Sequence, residues 1–350
     1  MVNFLTDKLI AVALSLPWQQ NPFTRKKDPT MADFSRRTLL GATAMLLLPR
    51  AILAVETTEP ATAPAEPIID IHQHTHYSGR SDAELIEHQK RMGVSLTVLL
   101  PAGSNVQTDS THQGKSNGLA AETGGNESCY TLAKQYPQMF RFGANEVSDL
   151  PQAHDEITKY LKLGAVIVGE QKFNVDVDDP KIEPVFAAAG EFNVPVLMHF
   201  QYEMYNKGYE RFWKVLEKFP KVNFIGHAQT FWANIDKSYS DPKNLYPKGL
   251  VTPGGITDQY LTHYPNFYGD MSAGSGLNAM VRDEPHAREF IDRHQDKLMF
   301  GSDCNDRVGR GPVCQGWLTI KEIRKLASSK TVERKLLCDN AKKLLRLTLD

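Results

Sequence analysis

Eight short runs rich in β-branched, aliphatic and aromatic side chains recur along the chain from residue 67 onward. Their number and spacing restrict its fold more than any other feature. They are PIIDIH (67–72), SLTVLL (95–100), MFRFGAN (139–145), AVIVGEQKF (165–173), VPVLMHF (194–200), VNFIGHA (222–228), NFYGDMS (266–272) and KLMFGSD (297–303). Most are apolar without alternation, as strands of a parallel sheet buried on both faces must be. Between them lie DAELIEHQKRMG, PVFAAAGEFN, YERFWKVLEKFP and AREFIDRHQD, with apolar residues three and four apart, the period of a helix. Eight strand–helix units over roughly 280 residues match an α/β fold of the (β/α)8 barrel type in number and length. The alternative is an open doubly wound sheet, but no glycine-rich phosphate-binding turn follows the first run.

The segment before Pro67 has a different character. FSRRTLLGATAMLLLPRAILA (34–54) places Arg36 and Arg37 ahead of an apolar stretch and small residues, the layout of a twin-arginine export signal. Residues 1–54 are therefore expected to be an N-terminal extension carrying that signal, with Met31 as a second candidate start. Residues 55–66, rich in Pro, Ala and Thr, read as a linker, and 67–350 as the barrel. The apolar core from Thr38 to Leu48 is too short for a stable membrane span. The expected location is the periplasm, with the twin-arginine export machinery as a transient partner.

Charge narrows the partners. The formal net charge is -1, with no basic stripe, so nothing points to nucleic acid. The four cysteines, Cys129, Cys304, Cys314 and Cys338, are too few and too scattered for a disulfide scaffold. They are expected as free thiols, with Cys304 and Cys314 the pair that an oxidising compartment could join.

The chemistry collects at the ends of the runs. The first ends in His72 and His74, the fourth in Glu170 and Lys172, the fifth in His199, the sixth in His227 and the eighth in Asp303. In a (β/α)8 barrel the C-terminal ends of all strands meet at one mouth, where active sites are built. Residues two apart on a strand point the same way, so His72 and His74 can grip one cation, and Glu170 and Lys172 share a face. Neutral imidazoles with carboxylates suit zinc or a similar divalent ion, with a position left open for water. A lone histidine is ordinarily a satisfied polar side chain, and His76, His88, His112, His154, His263, His286 and His294 are read so, with His76, in phase with His72 and His74, kept as a pocket-lining candidate. Asp303 alone could be a helix cap. The ordered set is what makes a metal site.

That set resembles the metal-dependent amidohydrolase superfamily, in the branch that holds hydrolases and lactonases beside decarboxylases similar to aminocarboxymuconate-semialdehyde decarboxylase. The likeness rests on DIHQH, LMHF, IGHA and MFGSD at four strand ends and on the terminal LLCDNAKKLLRL, and covers residues 67 to 348. It implies a distorted barrel with His72, His74, His199 and Asp303 around one metal. It implies that His227 ligates a second metal or hydrogen-bonds the nucleophile or substrate, and that Asp303 both touches the metal and moves protons. The fourth-strand position varies within the superfamily, and VGE favours Glu170 as a ligand with Lys172 as a substrate contact. A Glu170–Lys172 ion pair without a metal role is the plainer alternative.

The expected function is therefore hydrolysis of an amide, lactone or ester of a small molecule by a metal-activated water, with one or two zinc-like ions per chain. Asp303 would carry the proton and His227 would stabilise the oxyanion. Nonoxidative decarboxylation on the same scaffold is the alternative, and a non-catalytic, metal-stabilised periplasmic module is the second. Beyond the strand ends, Tyr202, Tyr205, Trp232, Arg307 and Arg310 join Lys172 as candidate contacts to a carboxylated substrate. The long polar loop after the second run, 101–128, suits a lid or pocket wall. Phe212 and Trp213 could face the core or a homo-oligomer partner.

Overall fold

Each of the eight runs forms a strand, and every pairing between neighbours is parallel. The strands are β1 (Ile69–Gln73), β2 (Leu96–Leu99), β3 (Phe140–Phe142) and β4 (Val168–Gln171). They continue as β5 (Val196–His199), β6 (Phe224–His227), β7 (Phe267–Asp270) and β8 (Leu298–Met299). The computed structural model describes residues 66–119 and 121–349. The expected export signal within 1–54, and all but the last residue of the expected linker over 55–66, lie outside the described residues. No described helix is long and apolar enough to cross a membrane.

The strands run in the orders β1-β2-β3 and β4-β5-β6-β7-β8. Backbone hydrogen bonds span the two seams. Ala144, just past β3, bonds Ile167 and Gly169 at 2.9 Å each, and Ile71 donates to the Phe300 carbonyl at 3.2 Å. The result is the (β/α)8 barrel.

Twelve α-helices are described: α1 (Asp82–Met92), α2 (Asn126–Gln135), α3 (Ala153–Lys162), α4 (Glu183–Phe192), α5 (Trp213–Lys218) and α6 (Ala228–Ala233). The others are α7 (Ile256–His263), α8 (Ala273–Val281), α9 (Glu284–His294), α10 (Gln315–Leu326), α11 (Lys330–Arg334) and α12 (Asn340–Leu344). α1 illustrates how sequence sets a boundary. Ser81 accepts from the Glu84 amide while the Glu84 carboxylate accepts from the Ser81 amide, and Gly93 at φ 81 ends the helix.

Two cores follow from the alternation of side chains. Ile69, Ile71, Leu96, Val98, Ile167, Leu197, Ile225 and Met299 fill the barrel interior, stoppered at one end by Ala341, Leu345 and Leu347. The opposite strand faces, including Phe142, Val196, Met198, Phe224 and Phe267, pack against the helices. Each fully buried Phe or Leu contributes about 1.5–3 kcal/mol. Phe212 is in this outer core, edge-on to Phe224 at 5.4 Å between ring centres, while Trp213 is 40% exposed.

Strict alternation fails at two places, and both serve the mouth. Along β1 the partners run Asp70↔Thr97 and then Gln73↔Leu99, three steps against two. Along β4 they run Val168↔Val196 and then Gln171↔Met198, again one residue extra. Such bulges re-aim side chains. Asp70 thus reaches outward to Gln89 of α1, at 2.9 Å, while His72 turns towards Glu170 inside the mouth.

Candidate metal centre

His72, His74, Glu170, His199, His227 and Asp303 meet at the C-terminal mouth of the barrel, all largely buried. Glu170 sits at the middle. Its Oε2 lies 3.6 Å from His72 Nε2 and 3.5 Å from His74 Nε2. Its Oε1 lies 2.6 Å from His199 Nδ1 and 3.5 Å from His227 Nε2. Asp303 faces the same imidazoles from β8's end: Oδ1 is 3.8 Å from His72 Nε2 and 3.6 Å from His74 Nε2, and Oδ2 is 3.7 Å from His227 Nε2.

Most of these separations are too long for hydrogen bonds, which fall at about 2.7–3.2 Å. They suit donor atoms sharing a cation, whose ligand bonds are about 2.0–2.2 Å. His72 Nε2 and His227 Nε2 are buried without a hydrogen-bond partner. Two orphaned imidazole nitrogens aimed at two carboxylates fit a divalent ion. His199 differs from the rest. Its Nε2 contacts Gln201 Oε1 at 3.2 Å and its Nδ1 holds Glu170, so the fifth-strand histidine pairs with Glu170 rather than with Asp303. His199 holds Glu170 Oε1, while His72 and His74 face Glu170 Oε2 and Asp303.

Charge is distributed to match. Burial alone would raise the Glu170 carboxyl, but Lys172 and His199 override it and hold it well below its ordinary range. Burial likewise opposes ionisation of Asp303, and His72 and His74 hold its pKa down. Burial lowers His227 to about 3, with the His72 charge acting in the same direction, which leaves the neutral ring that a metal requires. Burial would lower Lys172, yet Glu170 and Asp303 raise it, so it stands as a cation with Nζ 4.0 Å from Glu170 Oε1.

Outer contacts fix the rings. His72 Nδ1 lies 2.7 Å from Asp270 Oδ2, and His74 Nδ1 lies 2.7 Å from the Leu100 carbonyl. Ser272 Oγ contacts His227 Nδ1 at 2.9 Å and donates to Asp270 Oδ2 at 2.7 Å. Asp270 and Ser272, at the end of β7, are the residues that the sequence reading passed over. The signal was there, a charged residue ending an apolar strand in GDMS, but a single aspartate before a helix reads as a cap. Gly301 of the FGSD run is also required by this packing: a Cβ there would sit 2.4 Å from Asp270 Oδ1 and 2.8 Å from His72 Cβ.

A cavity of about 270 Å³ opens above the centre, bounded by His199, His227, Asp303, Lys172, Tyr77 and Tyr246 among others. A neighbouring one of about 260 Å³ shares Tyr77, Lys172, Gln201 and Asn305 with it, and Leu119 and Ala121 of the long loop after β2 border it. Of the candidate substrate contacts, Lys172 reaches both cavities and Tyr205 borders the second. Tyr202 lines a separate hollow beside Glu203 and Arg211. Trp232 is buried in the core and donates from Nε1 to the Asp270 carbonyl at 3.1 Å. Arg307 pairs with Glu84 at 2.7 Å and Arg310 donates to the Arg91 carbonyl at 2.7 Å, both on the flank of α1. Both guanidinium groups are therefore engaged at α1 rather than at the mouth. Tyr77 was not anticipated. It stands beside Asp303 and Glu170, which together with burial hold its hydroxyl protonated, well above the ordinary tyrosine range.

A family model described as amidohydrolase matches residues 69–347. No curated protein matches the chain. Among solved structures, an uncharacterized TIM-barrel protein from Bordetella bronchiseptica superposes with a TM-score of 0.57 at 17% identity, over 80% of this chain and 98% of that one. A protein from Pseudomonas putida assigned as a 2-pyrone-4,6-dicarboxylic acid hydrolase gives 0.54 at 16% identity, over 81% and 99%. A 2,6-dihydroxybenzoate decarboxylase bound to 2,6-dihydroxybenzoate gives 0.53 at 13% identity, over 81% and 100%. At such identities the likeness carries the barrel and nothing finer.

Proposed function

We propose that this chain, which belongs to the amidohydrolase family, is a hydrolase that cleaves a C–N or C–O bond of a small, carboxylated amide, lactone or ester. The observation that carries the reading is the position of Glu170. One of its oxygens faces His72 and His74 and the other faces His199 and His227. A carboxylate so placed would be able to hold a second divalent ion beside the first, and paired cations would supply the charge stabilisation used in hydrolytic displacement. A divalent ion, for which we propose zinc, would polarise a substrate carbonyl and lower the pKa of a water towards about 7.

The remaining roles belong to the chain itself. Asp303 takes the proton of the attacking water on a carboxylate oxygen and returns it to the leaving group. His227, held by Ser272 at Nδ1, turns its Nε2 lone pair into the mouth, where it would hold a divalent ion. Lys172 offers a cation 14% exposed at the cavity wall, suited to a substrate carboxylate. Tyr77 supplies a protonated hydroxyl beside Asp303.

The test is product analysis after turnover of carboxylated lactones, amides, esters and aromatic acids in water enriched in oxygen-18. One labelled oxygen in the product, without carbon dioxide, is the expected result. Release of carbon dioxide would overturn hydrolysis in favour of decarboxylation. For the N-terminal segment we propose export through the twin-arginine route, checked by protease accessibility of the folded chain in intact and permeabilised cells.

A further inference from the structure

A second set of metal-ligating side chains converges away from the mouth. It comprises His88 of α1 with Cys304, Asp306 and Cys314 of the segment between β8 and α10, one donor atom from each lying within 4.8 Å of the others. His88, Cys304 and Cys314 are buried and Asp306 is nearly so. Cys304 Sγ is 3.8 Å from Cys314 Sγ, which is 3.6 Å from His88 Nε2, which in turn is 3.6 Å from Asp306 Oδ2.

These distances select one chemistry. Zinc bonds of about 2.3 Å to sulfur, 2.0–2.1 Å to nitrogen and 2.0–2.2 Å to oxygen, at tetrahedral angles, put S···S at about 3.8 Å, S···N at about 3.6 Å and N···O at about 3.4 Å. A disulfide would bring the sulfurs to about 2.05 Å. His88 Nε2 is the ring nitrogen that faces the site, and it meets the Cys314 sulfur and the Asp306 carboxylate at 3.6 Å each, separations at which hydrogen bonding is weak and a shared cation fits both.

We propose that His88, Cys304, Asp306 and Cys314 hold a zinc ion in a closed, four-protein-ligand site distinct from the centre at the barrel mouth. The surroundings are built for it. The amides of Val308 and Gly309 donate to Asp306 Oδ2 at 3.1 and 2.6 Å, and the Trp317 amide donates to Cys314 Sγ at 3.4 Å, which orients ligands and offsets thiolate charge. Gly309, at φ 77, lets the loop lie against α1, since a Cβ there would fall 2.4 Å from the His88 carbonyl oxygen. Arg80 clamps the Cys304 and Asp306 carbonyls at 2.9 Å each.

The consequence reaches the mouth through one peptide bond. Cys304 follows Asp303, whose amide is bonded to the His72 carbonyl at 2.8 Å. The zinc would tie this segment to α1, the helix that follows β1 and its two histidines, so its role is positional.

The experiment uses the full chain purified under reducing, chelator-free conditions and loaded with zinc. Zinc per chain is measured in the wild type, in the double variant Cys304→Ser/Cys314→Ser and in His88→Ala. X-ray absorption at the zinc edge is recorded on the wild type. The proposal expects both variants to lose about one zinc per chain while the rest is retained, and expects sulfur scatterers at about 2.3 Å in the wild type. Unchanged zinc content in a folded double variant would overturn it. So would a wild-type spectrum with only nitrogen and oxygen neighbours, which decides the matter even if the variants fail to fold. A Cys304–Cys314 disulfide in the protein as isolated from its own compartment, read as a linked peptide by mass spectrometry, also overturns it.

Discussion

His72 and Asp270 are joined across the barrel mouth, imidazole Nδ1 to carboxylate Oδ2 at 2.7 Å, and the same carboxylate oxygen receives the Ser272 hydroxyl that contacts His227. One carboxylate on β7 therefore sets the orientation of rings on β1 and β6. An ionised carboxylate accepts only, so the His72 Nδ1 carries a proton, and Nε2 is the ring atom that faces Glu170 and Asp303.

Asp270→Asn tests that arrangement. The amide keeps the size but loses the charge and one acceptor. Metal affinity is expected to fall by about 10–100-fold, with the far-ultraviolet circular dichroism unchanged. Competition with a chromogenic chelator measures it, and an affinity equal to the wild type would leave Asp270 with a packing role only.

Glu170→Gln addresses the bridge. With the charge gone, the two histidine pairs no longer share an anionic carboxylate. About one of the bound divalent ions per chain should be lost, while the sulfur-containing site of His88 is unaffected. Metal content by mass spectrometry gives the count. If it does not change, Glu170 is only an ion-pair partner of Lys172 and the bridging role fails.

How far the centre was legible in the sequence follows from what each residue answers to. The eight strands were visible because burial on both faces forces uninterrupted apolar runs, and their ends fell within a few residues of the runs. His72, His74, Glu170, His199, His227 and Asp303 were visible for the same reason, as polar residues where such runs stop. The extra residue in β1 and in β4 was not, since a bulge is decided by pairing with β2 and β5 rather than by local composition. It is nevertheless what separates Asp70, bonded to α1, from His72 at the mouth. The loop residues were the least legible. Arg307 is drawn to Glu84, more than two hundred positions earlier, and no local pattern announces that partner.

The Glu84 carboxylate also carries a pH signature. The Ser81 amide, the Ser81 hydroxyl and Arg307 together lower its pKa from 4.5 to about 2. A depressed carboxyl stabilises the fold above its unfolded value, and that contribution is lost as pH falls through the folded one. The stability gap between the wild type and Glu84→Gln should therefore be full at neutral pH and shrink as pH drops below 4.5 towards 2. Urea midpoints taken across that range provide the comparison. A gap that stays constant would mean that the cap and the Arg307 pair add nothing through charge.

Asp303→Asn separates holding the cation from moving the proton. Asp303 stands at φ 42, a left-handed conformation that asparagine tolerates well, so the exchange keeps the backbone. The amide oxygen can still face the cation, but it cannot take a proton from water at neutral pH. Metal content should remain near that of the wild type while turnover falls by about 100- to 10,000-fold, the range that general acid–base catalysis supplies. The loss should appear in kcat rather than in KM, because the proton moves only in the transition state. Turnover close to wild type with the metal retained would transfer the proton to another group at the mouth, and Tyr77, beside Asp303, would be the next to replace.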